Sequence, residues 1–197
     1  MRKQNGFLLI IFVALCIGGC SSSGSKPRWY TLHPQGFEAS DVLSGNLKSP
    51  LGVGPIVLPE SLSRSELVAY DQGNQVIVDS THLWAGDLKR AISRVMASNL
   101  SDLSSMVDIW AYPWDVRIRP EDQLSLAIEQ LGGPVSGPVK LKAQWKLLSD
   151  YGQKLEKTGR CEHKSTLSSS SYQDYVFAIN SLIGECSKEI FEALTNP

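Results

Sequence analysis

The chain has 197 residues, of which 42% are hydrophobic and 20% charged, and its formal net charge is −1. That length supplies one ordinary domain and requires no second. With 19 Lys and Arg against 20 Asp and Glu, no basic face of the kind that nucleic acid demands is expected, so a nucleic-acid partner is excluded.

Arg2 and Lys3 precede an apolar run from Phe7 to Ile17. A membrane-spanning helix needs roughly 20 apolar residues, so this shorter run is expected to be a cleaved export signal rather than an anchor. It ends in Ile17-Gly18-Gly19-Cys20, which resembles the lipobox of bacterial lipoproteins. The resemblance implies cleavage before Cys20, acylation of its sulfur and new amino terminus, and, with Ser21 rather than Asp next, delivery to the outer membrane. The expected organisation is therefore a signal peptide at 1–19, a lipidated Ser/Gly-rich tether at 20–28 and one domain at 29–197. Once Arg2 and Lys3 leave with the signal, 17 cationic and 20 acidic residues remain, a net charge of −3.

Cys161 and Cys186 are the pair left over in an oxidising compartment. A disulfide between them would close a loop worth about 3 kcal/mol in the chain-entropy account. Two buried thiols are the alternative. A zinc site built on Cys161, His163 and Cys186 would have three ligands and no paired C-x-x-C spacing, so no metal is expected.

Along the domain, Trp29 to Leu32 predicts a short first strand and residues 33–49 a loop. Leu51 to Pro59 alternates apolar residues with Gly52 and Gly54, the pattern of a strand that another backbone approaches closely. A phosphate-binding glycine loop would need a helix directly afterwards, and Pro55 and Pro59 stand there instead. Short strands are expected at Leu67–Tyr70 and Val76–Val78 around the turn Asp71-Gln72-Gly73-Asn74, with Ser80 and Thr81 placed to cap a helix. Leu88, Ile92, Val95, Met96, Leu100 and Leu103 form one stripe of an amphipathic helix from about Leu83 to Ser104.

Trp110, Tyr112 and Trp114, around Pro113, could be a ligand platform; a β-rich run beside a helix favours core. Three meander strands are expected next. Leu124, Leu126 and Ile128 share a face, and Val139, Leu141, Ala143, Trp145 and Leu147 alternate strictly with polar residues. After the turn Ser149–Gly152, Leu155 and Cys161 fall on one parity of the returning strand. Ser171 and Asp174 resemble a capping box, and Tyr172 to Leu194 carries a continuous apolar stripe that points Cys186 at the core. The fold class predicted is α+β, a single domain with a mainly antiparallel sheet against two amphipathic helices.

Trp29-Tyr30-x-Leu32, Leu51-Gly52-Val53-Gly54-Pro55, Leu58-Pro59, Arg64, Trp84-Ala85, Arg94-Val95-x-Ala97-x-Asn99-Leu100, Pro113-Trp114 and Ala143-x-Trp145-x-Leu147 carry a family resemblance. They look like the ABC-type transport auxiliary lipoproteins typified by PqiC. This chain departs from the family's common Tyr-Leu-Asp-Arg at Ser61-Leu62-Ser63-Arg64, and from Arg-Trp-Ala-Glu at Leu83-Trp84-Ala85-Gly86. The resemblance implies an outer-membrane accessory of intermembrane lipid transport that works with an MCE-domain protein of the PqiB type, and leaves a homo-oligomer open. Docking residues are expected at Leu62, Arg64 and Trp84.

No catalytic site is expected, since no G-x-S-x-G or H-E-x-x-H is present and His33, His82 and His163 are scattered. No cofactor is expected either. A lipid carrier would need a large apolar cavity that this domain is barely big enough to enclose. A structural or envelope-integrity lipoprotein would share the tether and differ only in its partners.

Overall fold

The computed structural model describes residues 25–37, 50–71, 75–104, 108–115 and 117–195. The expected signal, Cys20 and the tether as far as residue 24 lie outside these, as do loop residues 38–49, turn residues 72–74 and Val107. In chain order the elements are β1 (Arg28–Tyr30), β2 (Leu51–Val57), a 3-10 turn at Glu60–Leu62, β3 (Glu66–Tyr70), β4 (Val76–Trp84), α1 (Leu88–Ser104), β5 (Ile109–Ala111), β6 (Asp122–Gly132), β7 (Val139–Ser149), β8 (Lys154–Ser165) and α2 (Tyr172–Thr195).

The arrangement is α+β, with two mixed sheets. One has the order β5-β2-β6-β7-β8; the other is β1-β4-β3. The long ladders of β6, β7 and β8 are antiparallel, while β2 runs parallel to both β5 and β6, and β1 parallel to β4. Both helices pack on the five-stranded sheet, α1 against β2 and β5, α2 against β7 and β8, and against each other. The expected alternation holds in β7, where Val139, Leu141, Ala143 and Trp145 are buried. Trp145 stands opposite Gly159, whose missing side chain gives the indole room.

Ser171 Oγ accepts the Asp174 N–H at 3.1 Å and starts α2 as the capping box implies. The helix buries Tyr175, Val176, Ile179, Leu182, Ile183, Cys186 and Ile190. Cys161 and Cys186 are joined by a disulfide with their Cα atoms 5.6 Å apart, which ties β8 to α2.

Several local expectations need correction. Ser80 and Thr81 do not cap a helix: β4 continues through them to Trp84, and the cap is Asp87, whose Oδ1 accepts the Arg90 N–H at 2.9 Å. Leu155 and Cys161 do not share a face, because the β7–β8 register shifts between Leu147 and Leu148, leaving Leu155 54% exposed while Cys161 is buried. Gly52 and Gly54 are approached by side chains. A Cβ at Gly52 would collide with Pro120 and Trp114, and one at Gly54 with Tyr112.

A strap after β1 crosses the helix pair, and no periodicity announced it. Leu32 is buried. The His33 N–H donates to Asn180 Oδ1 at 3.2 Å and the Gln35 N–H to Asn99 Oδ1 at 2.9 Å. Asn99 is fully buried and is further satisfied by donating to Ser187 Oγ at 3.3 Å, as a polar group inside a core requires.

Candidate docking surface

The turn at Glu60–Leu62 is closed by the Leu62 N–H on Pro59 O and the Ser63 N–H on Glu60 O, both at 3.0 Å. So tight a turn sends Leu62 inward, where it is 5% exposed, and leaves Arg64 outside with its Nε 3.4 Å from Glu66. The Glu66 carboxyl sits below its ordinary pKa, first through its own backbone N–H and then through Arg64 and Ser65. Trp84 ends β4 at 6% exposure, and its N–H donates to Ser65 O at 2.7 Å.

Of the three residues expected to dock a partner, Arg64 exposes its side chain, whereas Leu62 and Trp84 are buried. Leu62 and Arg64 line a groove of about 440 Å³ together with Leu58, Asp87 and Lys89. Trp84 lines an adjoining hollow of about 250 Å³ with Tyr30, Arg90 and Arg94. The two share Gly86, Asp87 and Leu88 at the start of α1.

A third cleft, of about 160 Å³, continues from there between Pro55, Ile56, Asp87, Lys89, Arg90 and Tyr112. Its wall is fixed by Ser93, whose hydroxyl donates to Val53 O at 2.5 Å and accepts the Tyr112 N–H at 2.8 Å. This contact pins the end of β5 to α1.

Beyond Tyr112 the aromatic run is not core, contrary to the favoured expectation. Trp110 and Trp114 are half-buried, Tyr112 is 44% exposed, and Trp110, Ala111, Trp114, Asp115 and Ile118 enclose an open cleft of about 270 Å³. The run starts in β5, the outermost strand of its sheet among the described residues. Tyr112 and Trp114 meet edge to face at 5.1 Å. The Asp115 carboxylate accepts from Arg117 Nη2 at 2.6 Å, from its Nε at 3.0 and 3.2 Å and from its backbone N–H at 2.9 Å, and the Asp115 backbone oxygen accepts the Ile118 N–H at 3.0 Å. The guanidinium holds the Asp115 carboxyl below its ordinary range and is itself raised by it.

The three histidines are engaged separately. His33 uses its backbone. His82 is stacked on Tyr172 at 4.0 Å and on Tyr30 at 5.7 Å, with Nδ1 3.1 Å from Asp79. Asp79 accepts the Thr81 hydroxyl at 2.6 Å and the Thr81 N–H at 2.8 Å, and with His82 these lower its pKa to about 2. His163 lies between Glu185 at 3.4 Å and Glu189 at 2.7 Å. Among the described residues no group of His, Cys, Asp and Glu is placed to hold a metal ion, and no helix is long and apolar enough to cross a membrane.

Solved structures share the fold. An uncharacterized protein superposes with a TM-score of 0.68 at 17% identity, covering 86% of this chain and 99% of its own. A Xanthomonas campestris protein of family DUF330 gives 0.63 at 12% identity, covering 84% and 92%. PelC from Paraburkholderia phytofirmans, a dodecamer, gives only 0.45 at 13%, covering 79% and 95%. None of the curated proteins matches. Residues 30–191, from the last residue of β1 into the last turns of α2, match the family described as ABC-type transport auxiliary lipoprotein component, and the chain belongs to that family.

Proposed function

We propose that the mature protein is an outer-membrane lipoprotein, held by acyl chains on Cys20 and facing the periplasm, that docks an MCE-domain partner of the PqiB type in an intermembrane lipid-transport system. The family match over residues 30–191 carries this reading. The apolar run ending at Cys20 supports the anchor. Two or more acyl chains hold a protein on a bilayer nearly permanently, where one holds it only marginally. From Cys20 to the first strand, about eight Ser/Gly-rich residues reach roughly 15 Å on average, which keeps the domain close to the membrane.

The domain guides rather than carries. Its described clefts are open and lined partly by charged side chains, whereas holding an acyl chain calls for an enclosed apolar cavity. Nothing in the site requires chemistry on a substrate. Arg64 and the groove beside it are the expected point of contact, with Leu62 and Trp84 supporting them from below.

Affinity capture of the full-length lipoprotein from solubilised envelopes tests this reading. Recovery of the MCE protein is the expected result. Recovery of peptidoglycan-associated proteins alone would replace it with a structural, envelope-integrity role.

A further inference from the structure

The groove at Arg64, the cleft at Lys89 and the aromatic cleft at Ile118 form one track. The first two share Asp87 and Lys89, and Tyr112 of the second meets Trp114 of the third edge to face. The track follows the outer side of β2, whose seven residues extend about 20 Å. Along it β5 is the edge strand, and no strand lies beyond it among the described residues.

The two ends differ in charge. Arg64, Lys89 and Arg90 stand at the start beside Asp87 and Glu66, a net +1, whereas residues 108–122 carry four carboxylates against two guanidiniums, Asp115 among them lining the aromatic cleft. We infer that this track receives an extended polypeptide segment of the docking partner, with acidic side chains at Arg64, Lys89 and Arg90 and an apolar side chain between Trp114 and Ile118, flanked by basic residues. The inference rests on the docking function proposed above and specifies the chemistry that the docking site would recognise.

Three observations favour a polypeptide over a lipid. In the middle of the track the charged side chains of Asp87, Lys89 and Arg90 stand beside Pro55, Ile56 and Tyr112, so an acyl chain laid there would meet charges as well as apolar surface. The apolar end sits in a segment of net negative charge, which disfavours anionic headgroups. Among the described residues no strand pairs with the outer side of β5, the setting in which extended segments add to sheets.

The test uses the full lipoprotein in its envelope, with a photo-crosslinking phenylalanine at position 64 or 118 and a control at exposed Phe177. Crosslinks from 64 and 118 are expected to fall on one segment of the same partner, about six residues apart, with none from 177. Ile118→Glu, at a side chain 61% exposed, should leave the melting temperature unchanged and lower capture of the partner at least tenfold. Capture that survives in Ile118→Glu with no crosslink from 118, or a phospholipid adduct at 118, would overturn the track while leaving docking intact. Loss of partner from the wild type would overturn the docking function itself.

Discussion

In the five-stranded sheet, alternate residues of β7 from Val139 to Trp145 are buried beneath the helices, and a disulfide fastens edge strand β8 to α2. In the three-stranded sheet, Leu67, Val68 and Ala69 of β3 are buried, whereas Val76, Ile77 and Val78 of β4 remain substantially exposed. Tyr175 reaches from α2 to Val68 O at 2.8 Å and accepts the Gly133 N–H at 3.2 Å, linking both sheets. Asp79, Thr81 and His82 stack β4 against Tyr30 and Tyr172. One region is stabilised by continuous apolar area; in the other β3 shares that core while the exposed part of β4 relies on point contacts. Damage to the first should therefore be felt globally, and damage to the second locally.

The largest expected effect comes from cutting the disulfide. Replacing Cys161 and Cys186 together by Ala should cost about 3 kcal/mol, since the bridge constrains a long loop of the unfolded chain. For a domain of this size that corresponds to a fall of about 6–12 °C in melting temperature. Urea denaturation of the variant, against the wild type with and without reductant, measures it. A variant as stable as the oxidised wild type would mean that β8 is held by its ladder with β7 alone.

Tyr175→Phe should cost about 1–3 kcal/mol, because Val68 O and Gly133 N–H each lose a buried partner. Burial holds the Tyr175 hydroxyl well above its ordinary pKa, so it stays a donor throughout the accessible pH range. Hydrogen exchange sharpens the comparison: amides of β3 and β4 should speed up while those of β6 and β7 keep their protection. Uniform acceleration would show instead that the two sheets open as one unit.

The same contrast explains what could be read from sequence. Period-2 alternation in β7 and the helical stripes of α1 and α2 were legible because each element buries one face only. The outward turn of Leu155 was not, since a one-residue register shift leaves composition unchanged while reversing the faces. Ser80 and Thr81 suit a helix cap by residue type, yet they lie in β4, and only the continued pairing of that strand makes Asp87 the cap. The strap at Leu32–Gln35 rests on Asn99 and Asn180, whose role depends on contacts more than 60 residues apart in the chain. Of the residues expected to dock a partner, Leu62 and Trp84 turn inward, and nothing in residue type alone separates them from exposed Arg64.

The smallest effect is pH-dependent and confined to the three-stranded sheet. Thr81, through its hydroxyl and its N–H, together with His82, lowers the Asp79 pKa from 3.8 to about 2. A carboxyl lowered on folding stabilises the protein above its unfolded pKa, and that contribution disappears as pH falls through the folded value. The relevant window therefore runs from about pH 4 down to about pH 2. Because the Asp79 side chain is 28% exposed, solvent screening reduces the contribution to about 1 kcal/mol at neutral pH. Asp79→Asn should accordingly be less stable than wild type by that amount at pH 7, and the gap should narrow to less than half of that by about pH 2.5 and close below about pH 2. Urea midpoints of both proteins across this range provide the measurement, and the difference between them cancels the carboxylates they share. Curves that stay parallel down to pH 2.5 would mean that Asp79 serves β4 only through geometry that Asn reproduces, with no contribution from its charge.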